Sequence, residues 1–429
     1  MKIAIIGLGY VGLPLGLRFA EANTSVLGLD VDPAKVDAIH RGTSYIRHIP
    51  DASIASAVDQ NRMEASTDFS RVREVEAVLI CVPTPLNRYR EPDLSYVLRS
   101  AEAIAPYLAE GVDGARGVPK LVVLESTTYP GTTDTDLRQV LEEGSGLKAG
   151  VGFHLAYSPE REDPGRTDHS VKTIPKVMGG YTPACLERCV QLYSLAVDKV
   201  HPVDSCRIAE ATKLTENIFR SVNIALVNEL KVVYHKMGID VWDVVQAAAT
   251  KPFGYMPFFP GPGLGGHCIP IDPFYLTWKA REYEQHTRFI ELAGEINTAM
   301  PDYVVARVGE ALNAERKSVN GSRILLLGLA YKPNVDDDRE SPSYVLIEKL
   351  EALGAKVDYH DPFVPVIRPT REHAPLAGRQ SVPLSDNFDC LLLATHHDAF
   401  KTHDFSTYQA PLVDTRKCLQ SPPKKYYLA

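Results

Sequence analysis

The chain has 429 residues, of which 45% are hydrophobic and 23% are charged. This composition excludes a disordered or collagen-like chain, and at roughly 150 residues per domain the length predicts two or three domains. Lysine and arginine total 46 against 54 acidic residues, which gives a formal net charge of −8. We therefore expect no basic face and no nucleic-acid partner. A small anionic substrate would need a local positive pocket.

The first residues of the chain have two alternative interpretations. Lys2, the uncharged run up to Leu17 and Ala20-Glu21-Ala22 resemble a secretory signal peptide. We reject that interpretation because the run contains several glycines and Pro14 and is too short to cross a bilayer. A buried strand, a glycine turn and a helix explain it better. No other segment approaches the ~18 apolar residues of a membrane span, so we expect a cytoplasmic protein without a membrane partner.

The cysteines are odd in number and scattered along the chain. They are Cys81, Cys185, Cys189, Cys206, Cys268, Cys390 and Cys418. No spacing matches a zinc site, and at least one thiol has no intrachain partner. A reducing compartment with buried thiols is the simplest interpretation, which leaves open whether one cysteine is a nucleophile.

Short apolar strands alternate with amphipathic helices in the first half. The predicted strands are Lys2–Ile6, Ser25–Leu29, Ala77–Cys81 and Leu121–Leu124, and the predicted helices include Leu13–Ala22 and Leu94–Leu108. This alternation predicts an open, mostly parallel sheet. From Cys206 to Leu230 apolar residues recur at helical spacing, which predicts a long helix able to form a subunit interface. The stretch Lys251–Pro273, rich in proline and glycine, predicts a rigid irregular loop.

The last third repeats the order of the first. Strand Arg323–Leu327, Gly328-Leu329-Ala330, a helix opened by Ser341-Pro342 and strand Val357–His360 follow one another. We therefore predict an α/β protein with two Rossmann-like, doubly wound parallel-sheet domains joined by a central long helix and a helical dimerisation region. The expected boundaries are 1–200, 201–300 and 301–429. The second copy lacks the full glycine set, so we expect it to bind no second dinucleotide.

The segment Gly7-Leu8-Gly9-Tyr10-Val11-Gly12 is a complete GxGxxG between a predicted strand and a predicted helix. Its glycines allow a tight turn, close approach of a pyrophosphate and packing of the helix on the sheet. Asp30 ends the second strand and favours NAD over NADP, because its carboxylate accepts ribose hydroxyls and repels a 2′-phosphate. Lys35 either reaches the same ribose or is an ordinary surface lysine.

Two further segments follow the third and fourth predicted strands, where ligands of parallel sheets bind. They are Cys81-Val82-Pro83-Thr84-Pro85 and Glu125-Ser126-Thr127-Thr128. The alternative is that the hydroxyl cluster only caps the next helix.

The stretch Gly261–Pro273 is the most unusual in the chain. Glycines let backbone N–H groups crowd a ligand, while prolines hold the loop stiff. Cys268 in this setting is a candidate nucleophile, with Asp272 four residues further on. His267 either lowers the pKa of the thiol or faces away and binds substrate.

Polar residues elsewhere are weaker candidates. Lys213 and Asn217 lie four apart on one face of the predicted helix, either as an oxyanion-stabilising pair or as a solvated surface pair. Glu160, after an apolar segment, is a candidate acid or base by residue type. Asp336-Asp337-Asp338 suggests a metal site, but without other hard ligands we favour a solvated loop and expect no metal. Lys332 and Arg339 flank these aspartates and could reach phosphates.

Together these motifs resemble the UDP-glucose/GDP-mannose 6-dehydrogenase family over nearly the whole chain. The stretches VPTPLNRYREPDLSYV (82–97), SPEREDPG (158–165) and GPGLGGHCIPIDP (261–273) are similar to its UDP-N-acetylhexosamine branch. The loop KPFGYMPFFPGPG (251–263) is most similar to the UDP-N-acetylglucosamine 6-dehydrogenases.

The resemblance implies a four-electron oxidation of a sugar C6 alcohol to a carboxylate with two NAD⁺ per turnover. It implies that the first domain binds NAD, that the last binds the UDP-sugar, and that the chain forms a homodimer or a higher homo-oligomer. Cys268 would add to the C6 aldehyde to give a thiohemiacetal, and the second oxidation would give a thioester that water hydrolyses. Surface polysaccharide synthesis is the implied destination of the product.

The resemblance also assigns the site residues. It makes Cys268 the nucleophile, Lys213 the oxyanion stabiliser, Glu160 and Asp272 the acid/base and water-activating carboxylates, and Thr127 the hydroxyl that holds the water. A proline one residue later than usual, Pro130, weakens the assignment to Thr127. The implied cofactor contacts are Gly9, Tyr10, Val11, Gly12, Asp30, Lys35, Pro83, Thr84, Thr127 and Arg339. The implied substrate contacts are Glu160, Arg161, Lys213, Asn217, Tyr255, Pro260, Gly261, Gly263, Gly266, His267 and Lys332.

Three alternatives stay open. The same chemistry could act on UDP-N-acetylmannosamine, UDP-N-acetylgalactosamine or UDP-glucose. A two-electron β-hydroxyacid dehydrogenase also has a Rossmann domain, a helical middle and a lysine and asparagine four apart, but needs no cysteine. A non-catalytic NAD-binding protein is the third.

Overall fold

A computed structural model describes residues 1–46, 49–87, 89, 91–110, 118–161, 171–266, 269, 271–370 and 372–429. The chain forms two compact units. Unit 1 comprises Met1–Glu216 and Phe274–Gln285, and unit 2 comprises Asn217–Pro273 and His286–Ala429. Within the described ranges, no helix combines the length and the apolar character needed to cross a membrane.

Unit 1 is built on an eight-stranded sheet. Its strands are β1 Lys2–Ile6, β2 Ser25–Leu29, β3 Met63–Ser66, β4 Ala77–Ile80, β5 Leu121–Leu124, β6 His154–Tyr157, β7 Lys176–Gly180 and β8 Val200–Val203. The spatial order is β3-β2-β1-β4-β5-β6-β7-β8. Neighbouring strands are parallel except for β6 and β7, which are antiparallel. The first six strands therefore have the order of a dinucleotide-binding sheet.

Helices cover both faces of this sheet. They are α1 Gly12–Glu21, α2 Pro33–His40, α3 Asp51–Asp59, α4 Ser95–Ile104, α5 Arg138–Ser145 and α6 Pro183–Tyr193, with 3₁₀ turns at Phe69–Glu74 and Ala105–Tyr107 and a π-helical turn at Thr132–Leu137. Alternate residues of β1 point into separate cores. Ile3 and Ile5 belong to one cluster, whereas Ala4 and Ile6 belong to the other. A strand buried on both faces reads as a continuous apolar run, as the sequence predicted.

Unit 2 combines long helices with a second sheet. The remaining helices of the chain are α7 Cys206–Lys236, α8 Val241–Ala249, α9 Asp272–Arg281, α10 Arg288–Ala314, α11 Pro342–Ala352 and α12 Asp398–Lys401, with a 3₁₀ turn at Ala374–Leu376. The strands are β9 Arg323–Leu327, β10 Lys356–His360, β11 Cys390–Leu393, β12 Leu412–Asp414 and β13 Tyr426–Leu428. All neighbours in the order β10-β9-β11-β12-β13 are parallel.

The predicted fold class is confirmed, and most predicted elements lie within one or two residues of their predicted limits. The long central helix continues to Lys236, and residues 251–266 form neither helix nor strand. Ser341 caps α11 by accepting a hydrogen bond from the backbone N–H of Ser343, with Pro342 at the first helical position. The sequence did not predict β3, β6, β7 and β8 of unit 1 or β11, β12 and β13 of unit 2. It also did not predict the long helix α10, which contains Pro301.

Candidate active site

The glycine turn between β1 and α1 contains two kinds of glycine. Gly7 has φ +88°, and a Cβ there would lie 2.7 Å from the carbonyl oxygen of Cys81. A Cβ on Gly12 would lie 1.9 Å from the carbonyl oxygen of Gly7. A Cβ on Gly9 would meet nothing within 4 Å. The fold itself therefore requires Gly7 and Gly12, whereas Gly9 leaves open space beside the backbone that a ligand can approach.

Helix α1 offers an N-terminus suited to a diphosphate. Its N-cap residue, Val11, provides no side-chain hydrogen bond, and the first turn contains no acidic residue. Tyr10 and Val11 are partly exposed at this end. The N–H groups and partial positive charge of a helix N-terminus bind phosphate, so the turn fits the diphosphate of NAD.

The corner at the end of β2 is held by Asp30. This buried carboxylate accepts hydrogen bonds from the backbone N–H of Leu8 at 2.8 Å and of Asp32 at 3.0 Å. The Nζ of Lys35 donates to the same carboxylate at 3.0 Å. Lys35 is thus part of this corner rather than an isolated surface lysine. An ionised carboxylate has about four acceptor positions, which leaves Asp30 with capacity for a ribose hydroxyl.

Thr84 and Pro83 lie just beyond the end of β4. Thr84 is buried, and its carbonyl oxygen accepts a hydrogen bond from the hydroxyl of Tyr275 at 2.9 Å, whereas Pro83 is exposed. The segment is therefore held in place beside the glycine turn, where Gly7 already packs against Cys81.

Thr127 and Thr128 do not cap the helical stretch that follows them, so the capping alternative is wrong. The helical turn at Thr132–Leu137 has no side-chain cap from its N-cap residue, Gly131. Glu210 on α7 takes that role instead. Its buried carboxylate accepts from the N–H of Gly131 at 2.6 Å and from the N–H and hydroxyl of Thr133 at 2.9 and 2.7 Å. The Thr127 side chain is partly exposed and stays a candidate for the water-holding role.

Glu160 and Lys213 meet within unit 1. The Nζ of Lys213 donates to the backbone carbonyl of Glu160 at 2.6 Å, and the Glu160 Oε1 accepts from the N–H of Arg161 at 2.6 Å. The Arg161 guanidinium pairs with Glu216 and donates to the Pro175 carbonyl at 2.6 Å. Lys213 is only 9% exposed, so the alternative of a solvated surface lysine is wrong.

In unit 2, two further candidate residues, Asn217 and Asp272, contact each other. The Asn217 Nδ2 donates to the Asp272 Oδ2 at 2.5 Å, and both residues are buried. Asp272 is the first residue of α9. The amide therefore fixes the orientation of the carboxylate.

The loop before Cys268 is held at Gly261. Its N–H donates to the Oδ1 of Asn228 at 3.0 Å, and its carbonyl oxygen accepts from the Nζ of Lys231 at 2.9 Å. The Asn228 Nδ2 in turn donates to the Oδ1 of Asn297 at 3.0 Å. Burial, with a smaller contribution from Arg416, lowers the pKa of Lys231 to about 7. Tyr255 is exposed, whereas Pro260 and Gly261 are buried.

Two further residues crowd this loop. A Cβ on Gly261 would lie 2.4 Å from the Nη1 of Arg416, a partly buried cation whose pKa burial lowers to about 10. A Cβ on Gly266 would lie 2.6 Å from the Tyr331 ring, next to Lys332. Gly263 has φ +140°. The loop glycines therefore allow close packing against Arg416 and Tyr331, neither of which was predicted from the sequence.

The aspartate-rich loop is not solvated, so that expectation is wrong. Asp337 is 7% and Asp338 is 4% exposed. Arg339 makes two hydrogen bonds to Asp337, at 2.8 and 2.7 Å, and the Tyr344 hydroxyl donates to Asp338 at 2.7 Å. Asp336 lies 3.7 Å from Arg368. Each aspartate thus has a protein partner.

Cys268 and His267 lie outside the described residues, so their contacts stay predictions. The other six cysteines form no disulfide. Burial raises the pKa of Cys81, Cys189, Cys206 and Cys390, which makes them poor nucleophiles.

Three buried polar residues at the site were not predicted from the sequence. Ser221, Asn228 and Lys231 extend the predicted Asn217 into a buried polar stripe along α7. Their spacing of 4, 11 and 14 residues from Asn217 places them on one helical face, and this signal was available in the sequence. Arg416, Lys176 and Glu210 had no comparable signal, because tertiary packing alone brings them to their partners.

Comparisons with known proteins agree with this arrangement. Residues 1–197 match the NAD binding domain of the UDP-glucose/GDP-mannose dehydrogenase family, residues 207–299 its central domain and residues 325–421 its UDP binding domain. The predicted cofactor, NAD, is confirmed by the first of these matches.

Relatives match almost the whole chain. A UDP-N-acetyl-D-glucosamine 6-dehydrogenase of Pseudomonas aeruginosa is 35% identical over 402 residues, which cover 94% of this chain and 92% of the relative. A UDP-N-acetyl-D-mannosamine dehydrogenase of Escherichia coli K12 is also 35% identical, over 432 residues that cover 96% and 98%. The solved UDP-D-ManNAc dehydrogenase of Pyrococcus horikoshii has a TM-score of 0.89 at 30% identity and covers 100% of this chain and 98% of its own. The chain therefore belongs to the UDP-glucose/GDP-mannose dehydrogenase family.

Proposed function

We propose that the chain oxidises the C6 alcohol of UDP-N-acetyl-D-glucosamine to the carboxylate. The reaction consumes one water and two NAD⁺ and yields UDP-N-acetyl-D-glucosaminuronate, two NADH and three protons. The observation that carries the proposal is the buried Asn217–Asp272 pair. A two-electron dehydrogenase has no thioester to hydrolyse and needs no oriented carboxylate four residues past a cysteine.

Each residue has a role that its chemistry permits. NAD, when bound at the glycine turn, accepts the electrons of both oxidations. Cys268 adds through its thiolate to the C6 aldehyde, and the thiohemiacetal is then oxidised to a thioester. Lys213, as an ammonium, stabilises the oxyanion on C6. Asp272 takes a proton from the water that releases the acid, and Thr127 holds that water.

The UDP-binding role belongs to unit 2. Lys332 and the partly buried Arg416 supply positive charge in a protein of net charge −8. A guanidinium recognises a phosphate with two parallel hydrogen bonds. We therefore add Arg416 to the substrate contacts proposed from the sequence, which include the loop from Tyr255 to Gly266.

The choice of sugar rests on the loop at residues 251–263 and on the Pseudomonas relative. The mannosamine dehydrogenases are equally similar in overall identity, so substrate turnover has to decide. NADH formation is measured with UDP-N-acetylglucosamine, UDP-N-acetylmannosamine, UDP-N-acetylgalactosamine and UDP-glucose in parallel. The highest kcat/KM is expected for UDP-N-acetylglucosamine. Turnover confined to another of these sugars would overturn the assignment.

The covalent mechanism is tested separately by Cys268→Ala. The wild type is expected to form two NADH per sugar, and the variant no acid. Cys418→Ala, at a partly buried cysteine of the same unit, is the control and should retain the wild-type stoichiometry. One NADH per sugar in the wild type would favour the two-electron alternative. No NADH with any of the sugars would favour the non-catalytic one.

A homodimer forms part of the proposal. Phe219, Leu226 and Val233 are exposed on α7 at intervals of seven residues, and the exposed Met237 follows directly after the end of the helix. An apolar stripe at this spacing suits packing of one long helix against another. Light scattering should give a dimer mass for the wild type and a smaller mass for Leu226→Asp, and a monomeric wild type would contradict the assignment.

A further inference from the structure

A buried charge cluster lies behind Glu160 in unit 1. The Nζ of Lys176 lies 2.7 Å from the Oε2 of Glu125 and 3.2 Å from the Oε2 of Glu160. The Lys176 and Glu125 side chains are almost fully buried. One lysine is therefore shared by two carboxylates in an environment from which water is excluded.

Strand direction explains how the cluster forms. Glu125 follows the parallel strand β5 and Glu160 follows β6, whereas Lys176 begins β7, which is antiparallel to β6. The register pairs Tyr157 with Gly179, so its continuation sets Lys176 opposite Glu160. The Ser158 hydroxyl donates to the Val177 carbonyl at 2.9 Å and fixes the turn that leads to Glu160.

Lys176 is the cation at the centre of the cluster. Burial opposes the charge of Lys176, but the two carboxylates outweigh burial and raise its pKa. Burial and the charge of Glu160 raise the pKa of Glu125, while Lys176 opposes both. Among the residues that the structure describes, the other titratable and charged groups that face the cluster include Tyr193, Cys81, Cys189, Lys213 and Arg161.

These neighbours do not replace Lys176. Burial raises the pKa of Tyr193, and its hydroxyl donates to Glu125. Burial likewise keeps the thiols of Cys81 and Cys189 protonated. Lys213 reaches the Glu160 backbone carbonyl, and the Arg161 guanidinium is paired with Glu216.

We propose that Lys176 is a positioning residue that holds Glu160 as an oriented carboxylate, and that Glu125 limits this effect by sharing the lysine. The inference rests on the proposed acid/base role of Glu160. Neither Lys176 nor Glu125 needs to touch the substrate, because both act through the Glu160 carboxylate.

The proposal predicts that two substitutions shift the pH dependence in opposite directions. A base that must be ionised loses activity as the pH falls. Removal of the cation in Lys176→Met should move this acid-side loss of kcat/KM to higher pH by about one to three units. Removal of the competing carboxylate in Glu125→Gln should move it to lower pH, because Lys176 then acts on Glu160 alone.

The experiment measures kcat/KM for the UDP-sugar against pH in the full-length chain with saturating NAD. Lys176→Arg keeps the charge and should restore a profile close to the wild type. The double variant Lys176→Met/Glu125→Gln avoids two unpaired buried carboxylates and should give a profile between those of the single variants. Lys172→Met, at a half-exposed lysine paired with Asp198, is the matched control and should leave the profile unchanged.

The outcomes separate this inference from the proposed function. If Glu160→Gln retains the wild-type rate and acid-side loss, the proposed role of Glu160 is wrong. If Glu160→Gln abolishes the acid-side loss but Lys176→Met and Glu125→Gln both share the wild-type profile, only the present inference is wrong. Shifts of both single variants in the same direction would also overturn it. Opposite shifts are expected only if Lys176 and Glu125 act on Glu160 through their opposite charges, whereas structural damage gives no reason for them.

Discussion

The two glycine turns of the molecule share a topology but differ in what their aspartates do. In unit 1 the backbone N–H of Leu8 donates to Asp30 at 2.8 Å, and in unit 2 that of Leu329 donates to Asp361 at 2.6 Å. Each aspartate follows the second strand of its repeat and ties it to the turn after the first strand. The internal repeat predicted from the sequence is therefore visible in the hydrogen bonds as well.

The difference lies in how many donors each carboxylate receives. Asp30 accepts three hydrogen bonds from described residues. Asp361 accepts five, namely from His397 and from the N–H groups of Leu329, Ala330, Phe363 and Val364. Because a carboxylate has about four acceptor positions, Asp361 is saturated. One topology thus yields a ligand corner in unit 1 and a structural lock in unit 2.

The largest effect is expected for Asp361→Asn. In the variant an NH₂ group replaces one carboxylate oxygen and faces the hydrogen-bond donors around residue 361. At least one buried N–H group therefore loses its acceptor. We expect the free energy of unfolding to fall by about 3 kcal/mol, the upper end of the cost of leaving a buried hydrogen-bonding group unsatisfied. Urea unfolding followed by circular dichroism measures this loss, and NAD affinity should stay at the wild-type value where the variant is folded.

The same variant has a pH signature. Burial opposes ionisation of Asp361, but hydrogen bonds from His397 and the backbone lower its pKa below the ordinary 3.8. A lowered pKa contributes stability that is present above the ordinary value and is lost as the pH falls. The stability difference between wild type and Asp361→Asn should therefore shrink below pH 3.8.

Asp30→Asn is the control for the comparison of the two aspartates, and it should weaken NAD binding more than stability. Equal effects of both variants on NAD binding would contradict the comparison.

A smaller effect on stability is expected for Gly12→Ala. The new Cβ would lie 1.9 Å from the Gly7 carbonyl oxygen, so the turn and α1 must separate. Overpacking of this kind costs about 1 to 3 kcal/mol, and NAD binding should be lost with the turn. Gly16→Ala, one turn further along α1, is the control because its nearest neighbour is a side-chain methyl of Ile5 at 3.3 Å. Wild-type thermal stability of Gly12→Ala would show that the turn tolerates the shift.

The smallest effect on stability is expected for Gly9→Ala. A Cβ there meets nothing within 4 Å, and the residue is outside the left-handed region. The melting temperature should barely change, as for a surface substitution within about 0.5 kcal/mol. NAD affinity should fall at least about tenfold, equivalent to 1.4 kcal/mol, because the methyl group keeps the diphosphate from the backbone. A titration with unchanged NAD affinity would remove Gly9 from the cofactor site.

Much of the fold could be predicted because its signals are local. Strands buried on both faces are apolar runs, a helix that packs on one side shows a periodic stripe, and Ser341-Pro342 is a cap that needs no partner elsewhere. The glycines at Gly7 and Gly12 follow from a turn whose atoms are all close in sequence. The strand β7 was not predicted. It has only five residues, and its antiparallel direction is set by its pairing with β6 rather than by its own sequence.

The sequence by itself determined the class of fold, the cofactor turn and the candidate nucleophile, since each depends on neighbouring residues with distinctive chemistry. Tertiary structure alone decided which polar groups are buried together: Lys176 between Glu125 and Glu160, Glu210 at the N-terminus of a distant helix, and Asp361 with His397. Those partners are separated by 16 to 79 residues in the chain. The energetic value of each pair arises only when packing removes water from both members.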